Sequence, residues 1–100
     1  MVKVIIVEPN QGPKEVETDG SLKSFQELVG GYLEVIPVKM KFGIVLLANE
    51  DGLMQRLPKN RIVLGHNIVG NIVCVGSEGT EFASLTEDQI KECLEFFVKD

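Results

Sequence analysis

The 100-residue chain has no tryptophan, one tyrosine and one histidine. So few aromatic side chains give no evident stacking platform for single-stranded nucleic acid. The lone His66 has no second imidazole beside it, there is no CxxC, and acid ligands are not clustered, so no zinc site is expected. No apolar run approaches the roughly 20 residues of a membrane-crossing helix. The first residues lack the ordered regions of a signal peptide, so the expectation is a soluble, cytoplasmic protein with no membrane contact. A glycine-rich phosphate cradle is also missing. Gly30-Gly31 leads into a strand pattern, whereas a phosphate cradle opens a helix.

Nor do the residues of a hydrolytic triad fall together. His66 lies in the loop Gly65-His66-Asn67 without a motif neighbour, and Cys74 would have to meet it from inside an apolar strand, where a thiolate is disfavoured. Glu87/Asp88 and Glu92/Glu95 read as a solvated helix face. No internal repeat, low-complexity tract or linker interrupts the chain. The expectation is therefore a protein that is not an enzyme and needs no cofactor.

What is present describes one domain, residues 1–100. Hydrophobic residues make up 44% and charged residues 25%, ordinary globular values. A chain this long buries roughly 60–65% of its unfolded surface, enough for a core without metal or disulfide. Cys74 and Cys93 both fall on apolar faces and read as small buried hydrophobes. The net charge of −5 argues against general binding to nucleic acid or anionic membrane. It is unevenly spread: residues 39–61 carry Lys39, Lys41, Arg56, Lys59 and Arg61 against Glu50 and Asp51.

The chain is organised around one joint. Leu22, Phe25, Leu28 and Val29 recur at helical spacing, Gly30 can close the helix in the left-handed conformation, and Tyr32–Ile36 resumes at strand period before Pro37. Ahead of this joint, Val2–Val7 is apolar at nearly every position, as in a strand covered on both faces. Lys14–Thr18 reads as a charged edge strand, and Ser21 as the N-cap of a helix over Leu22–Val29.

Beyond the joint, Val38–Lys41 reads as an edge strand or loop. Phe42–Ala48 is a core strand, and Asp51-Gly52 a hairpin turn with Leu53–Leu57 as its return strand. Pro58 suits a type I turn, and His66 falls in a loop. Ile68–Val75 is a third core strand; Gly76–Gly79 turns, and Thr80–Ser84 pairs back. Thr86 with Gln89 forms a capping box, flanked by Leu85 and Ile90, for a helix over Glu87–Val98. These elements predict an α+β fold: a largely antiparallel, twisted sheet of about five to seven strands with two helices packed on it.

Laid out in this way, the chain resembles a family of small domains of unknown function from phages, plasmids and Gram-positive bacteria. The resemblance is carried by Val2–Glu8 with Pro9, Asp19-Gly20-Ser21-Leu22, Glu27 through Glu34, Asn49-Glu50-Asp51-Gly52 and Leu57-Pro58-Lys59-Asn60-Arg61. Ile68-Val69-Gly70, Val75-Gly76 and Phe82 through Thr86 complete it. It implies an association with mobile elements and their hosts, hence regulation or counter-defence, and carries over no activity.

The polar constellation able to bind something is Arg56, Lys59, Asn60 and Arg61 around the Pro58 turn, because arginine forks suit phosphate and carboxylate. The alternative is a solvated hairpin tip. The leading functional expectation is a small accessory or regulatory protein that binds a macromolecular partner, most readily a protein. The other is a module for a small anionic ligand or nucleotide using the Arg56–Arg61 turn.

Overall fold

Val2–Val7 forms strand β1, and its alternate side chains enter two different cores. Val4 and Ile6 go to one face, Ile5 and Val7 to the other, which is why the strand is apolar almost throughout rather than alternating. The structure, a computed structural model, describes residues 1–98. The remaining elements are β2 (Pro13–Thr18), α1 (Leu22–Val29), β3 (Leu33–Val35), β4 (Val45–Asn49), β5 (Lys59–Val63), β6 (His66–Val69), β7 (Ile72–Glu78), β8 (Glu81–Ala83) and α2 (Glu87–Val98).

The main sheet runs β2-β1-β7-β4-β3, with β8 also on β7, and every pairing in it is antiparallel. β5 and β6 form a separate hairpin. α1 covers one face of the sheet through Phe25 and Val29, against Val4, Ile6, Leu47, Val73 and Val75. α2 covers the other through Cys93 and Phe97. It shares that side with Val63 and Ile68 of the hairpin and with Met40 and Ile44 of the segment before β4. The result is an α+β fold in three layers with two cores.

Local chemistry sets the helix ends. The Ser24 amide donates to Ser21 Oγ at 3.1 Å, which caps α1. Asp19 accepts from the Ser24 hydroxyl and the Ser21 amide, and these bonds hold its carboxyl down at about 2. At α2 the capping box closes in both directions: the Gln89 amide donates to Thr86 Oγ1 at 3.2 Å, and the Thr86 amide to Gln89 Oε1 at 2.9 Å. Both cysteines are buried in the α2-side core as free thiols. Burial pushes the Cys74 thiol up, and the adjacent Cys93 adds to the shift.

Four sequence expectations need correction. The strand expected from Phe42 starts at Val45, because Lys41–Gly43 is a 3-10 turn with Phe42 at φ 61°. Gln89 Nε2 holds that turn through the Phe42 carbonyl at 2.8 Å. Leu53–Leu57 makes no return strand and lies in a turn-rich loop instead. Ile68–Val75 is not one strand. Gly70, at φ 73°, breaks it and sends its halves to different sheets, so that His66 and Lys59–Val63 become strand residues. Finally, β7 runs on through Gly76–Glu78 to pair with β8. A Cβ on Gly76 would stand 3.0 Å from the Ser84 carbonyl, so the glycine is needed for close approach rather than for turning.

Candidate functional site

The side-chain amides of Asn49, Gln55 and Asn71 converge near the C-terminus of α1. Gly30 adopts φ 82°, and the amides of Gly30 and Gly31 both donate to the Gln26 carbonyl, at 2.8 and 3.0 Å. Asn71 Nδ2 donates to the Leu28 carbonyl at 2.9 Å and Asn49 Nδ2 to the Val29 carbonyl at 3.3 Å. Carbonyls that a helix end leaves without partners are thereby satisfied from the end of β4 and from the connection between β6 and β7. Asn49 is 4% exposed, and its amide also donates to Gln55 Oε1 at 3.1 Å while its Oδ1 accepts from the Asp51 amide at 2.8 Å. Gly31 leaves it room: a Cβ there would lie 2.8 Å from Asn49 Nδ2.

From this anchor the loop Asn49–Leu57 folds on itself. The Gly52 amide donates to the Asn49 carbonyl at 3.2 Å, Gln55 to Asp51 at 2.9 Å and Leu57 to Gly52 at 3.0 Å. Two close approaches clamp it to the neighbouring chain. A Cβ on Gly52 would stand 2.7 Å from Val69 Cγ2, and one on Gly70 would stand 2.8 Å from Leu57 Cδ1. The consequence is a held loop whose tip presents adjacent apolar side chains, Leu53 at 81% and Met54 at 84% exposure. Beside the tip, a groove of about 320 Å³ runs between the loop, β3 and β6. Leu53, Ile68 and Val69 give it apolar surface, while Glu34, Glu50 and His66 bring ionisable groups.

The sequence-derived quartet is divided between two tasks. Arg56, at φ 56°, and Lys59 are exposed, on the loop and at the start of β5. Asn60 Nδ2 donates to the carbonyls of Val7 and Gly70, both at 2.7 Å, and its Oδ1 accepts from Arg61 Nε at 2.9 Å. Arg61 Nη1 donates to the Phe97 carbonyl and Nη2 to the Gln11 carbonyl, each at 2.9 Å, with the guanidinium 5.6 Å from the Phe97 ring centroid. Asn60 and Arg61 therefore brace β5 against β1, the turn after it and the end of α2, where a cation also complements the helix dipole. Lys39 and Lys41 line a different groove, beside α2 and Leu64. Leu53 and Met54 were hidden from sequence reasoning by their place in the expected return strand. The one available signal was Asn49, whose side chain can nucleate a turn two residues on.

A family model described as Domain of unknown function (DUF3846) matches residues 2–98. No curated protein and no solved structure matches the chain.

Proposed function

We propose, for a chain that belongs to the DUF3846 family, a role as a small non-enzymatic accessory or regulatory protein that acts by binding a protein partner. The observation that carries this reading is the loop tip. Leu53 and Met54 are held out into solvent by a backbone that has already lost its freedom. An anchor ordered in advance saves entropy on association, and methionine is among the residues enriched where proteins meet. The phage and plasmid association implied by the resemblance belongs to this proposal, as does a cytoplasmic setting, which suits two free buried thiols. The second reading, an anionic ligand at the Pro58 turn, rests on Arg56 and Lys59, since Asn60 and Arg61 are committed to carbonyls.

The test compares capture of proteins from source-cell lysate by the wild-type chain, by Leu53→Ser/Met54→Ser and by Arg56→Ala/Lys59→Ala, each checked for folding by circular dichroism. A stoichiometric partner held by the wild type and lost with the loop-tip variant is expected. Undiminished capture by that variant would refute the loop as the contact. Loss confined to Arg56→Ala/Lys59→Ala would move the site to the basic turn.

A further inference from the structure

A second groove, of about 520 Å³, shares no lining residue with the one at the loop. Lys39 and Lys41 approach it from the segment before β4, and Glu92 and Glu95 from α2. Phe96 and Leu64 supply apolar surface between them. Among the described residues, none of these four charges is in an ion pair with another.

One backbone outlier lines this groove, and another lines a depression that shares two of its residues. Leu64 and Gly65, at φ 46° and 87°, make the two-residue turn between β5 and β6. That turn demands positive φ at both positions and favours Asn-Gly, so leucine is an unfavourable choice. Phe42, at φ 61°, lines a second depression that shares Glu92 and Glu95 with the groove. Both residues are apolar and exposed, Leu64 at 57% and Phe42 at 61%. Positive φ kept at two exposed apolar positions, each lining a depression that Glu92 and Glu95 also line, points to a surface that is covered in use.

We propose that this face docks a second copy of the chain, in an isologous dimer whose two-fold axis runs along the groove. The charge arrangement selects both the occupant and the axis. Two cations on one wall and two anions on the other make a self-complementary patch. Rotation about an axis along the groove lays the lysine wall of each copy on the glutamate wall of its partner. An axis across the groove would instead oppose like charges. Docking covers Phe42 and Leu64 on both copies, and the loop Asn49–Leu57 takes no part, so the dimer stands or falls independently of the function proposed above.

Sedimentation velocity on the full chain, from about 1 to 200 µM, tests it. The wild type is expected to dimerise with a micromolar constant that weakens with added salt. Glu92→Lys/Glu95→Lys and Lys39→Glu/Lys41→Glu should each be monomeric alone, and an equimolar mixture of the two should associate again. Leu64→Asn should weaken association at least tenfold while its urea midpoint holds or rises, an outcome that mere structural damage cannot produce. A wild-type monomer at every concentration overturns the proposal, whatever other protein the face then holds. So does a mixture of the two charge-reversed variants that stays monomeric.

Discussion

Asn49 and Gly31 occupy the same few ångströms, and a double-mutant cycle on the pair tests how the helix-to-sheet joint is built. Asn49→Ala removes two donated bonds and one accepted one, stranding the Val29 carbonyl and the Asp51 amide. At about 1 kcal/mol net for each bond, the expected loss is about 3 kcal/mol. Gly31→Ala places a methyl group 2.8 Å from Asn49 Nδ2, 3.1 Å from its Oδ1 and 3.2 Å from its Cγ. Overpacking of this kind costs about 1–3 kcal/mol. Gly31 is not among the positive-φ residues, so alanine there also gains about 0.4–1 kcal/mol from a stiffer unfolded chain.

In the Asn49→Ala background all three close atoms are gone, and Gly31→Ala should become neutral or mildly stabilising. The coupling between the two sites is therefore expected to be about 2 kcal/mol, within the range seen for residues in contact. Urea unfolding followed by far-ultraviolet circular dichroism gives the four midpoints, compared at a common m-value. If Gly31→Ala costs the same in both backgrounds to within about 0.5 kcal/mol, the glycine does not make room for the amide.

Three further outcomes are expected. Thr86→Ala should cost about 0.5–2 kcal/mol in urea titrations and Thr86→Ser much less, since either hydroxyl can accept from the Gln89 amide; equal losses would place the helix start elsewhere. Arg61→Ala should cost about 1.5–3 kcal/mol through its bonds to the Phe97 and Gln11 carbonyls, whereas Arg56→Ala should stay within about 0.5 kcal/mol; the reverse order would contradict the bracing role. The Cys74 thiol, raised by burial, keeps its proton in the fold after the unfolded chain has lost it at an ordinary pKa of about 8.5. The thiol's stabilising contribution is thus complete below that pH, and above it stability should fall by up to about 1.4 kcal/mol per pH unit. Cys74→Ala should flatten the alkaline limb of midpoint against pH, and an unchanged slope would show that this thiol is not the group responsible.

The elements readable in the sequence are those whose signals are local. Val2–Val7, Leu22–Val29 and Glu87–Val98 have the bounds that periodicity and caps predicted, because Ser21, Gly30 and the Thr86–Gln89 pair act on amides and carbonyls within a few residues. Asn49–Leu57 misled for a physical reason. Asp51-Gly52 before an apolar residue is a hairpin signal, but the Asn49 side chain and the close contacts of Gly52 with Val69 and of Leu57 with Gly70 hold the chain in a loop. The candidate site was only partly legible for a related reason. Arg61 reads as a surface cation in sequence, yet its acceptors lie 36 and 50 residues away, at Phe97 and Gln11. Spacing cannot reveal a partner that only the fold brings near.

The position of β1 has a consequence for how the protein is made. Synthesised ahead of the other strands of this domain, β1 lies between β2 and β7, and its Lys3 carbonyl accepts from the Leu85 amide at 2.9 Å. β1 and β2 can pair early as a hairpin, but a lone hairpin is marginal in water. The strand that completes the sheet on the other side of β1 ends at Glu78, and the helix that covers Ile5 and Val7 starts only at Glu87. Val4-Ile5-Ile6-Val7 therefore waits, apolar and rich in β-branched residues, until β7 and α2 have been synthesised, as the kind of segment that nucleates aggregates. Slowing elongation should deepen that exposure rather than relieve it, and yield of soluble protein should respond more to chaperone supply during synthesis than to stabilising substitutions in α2.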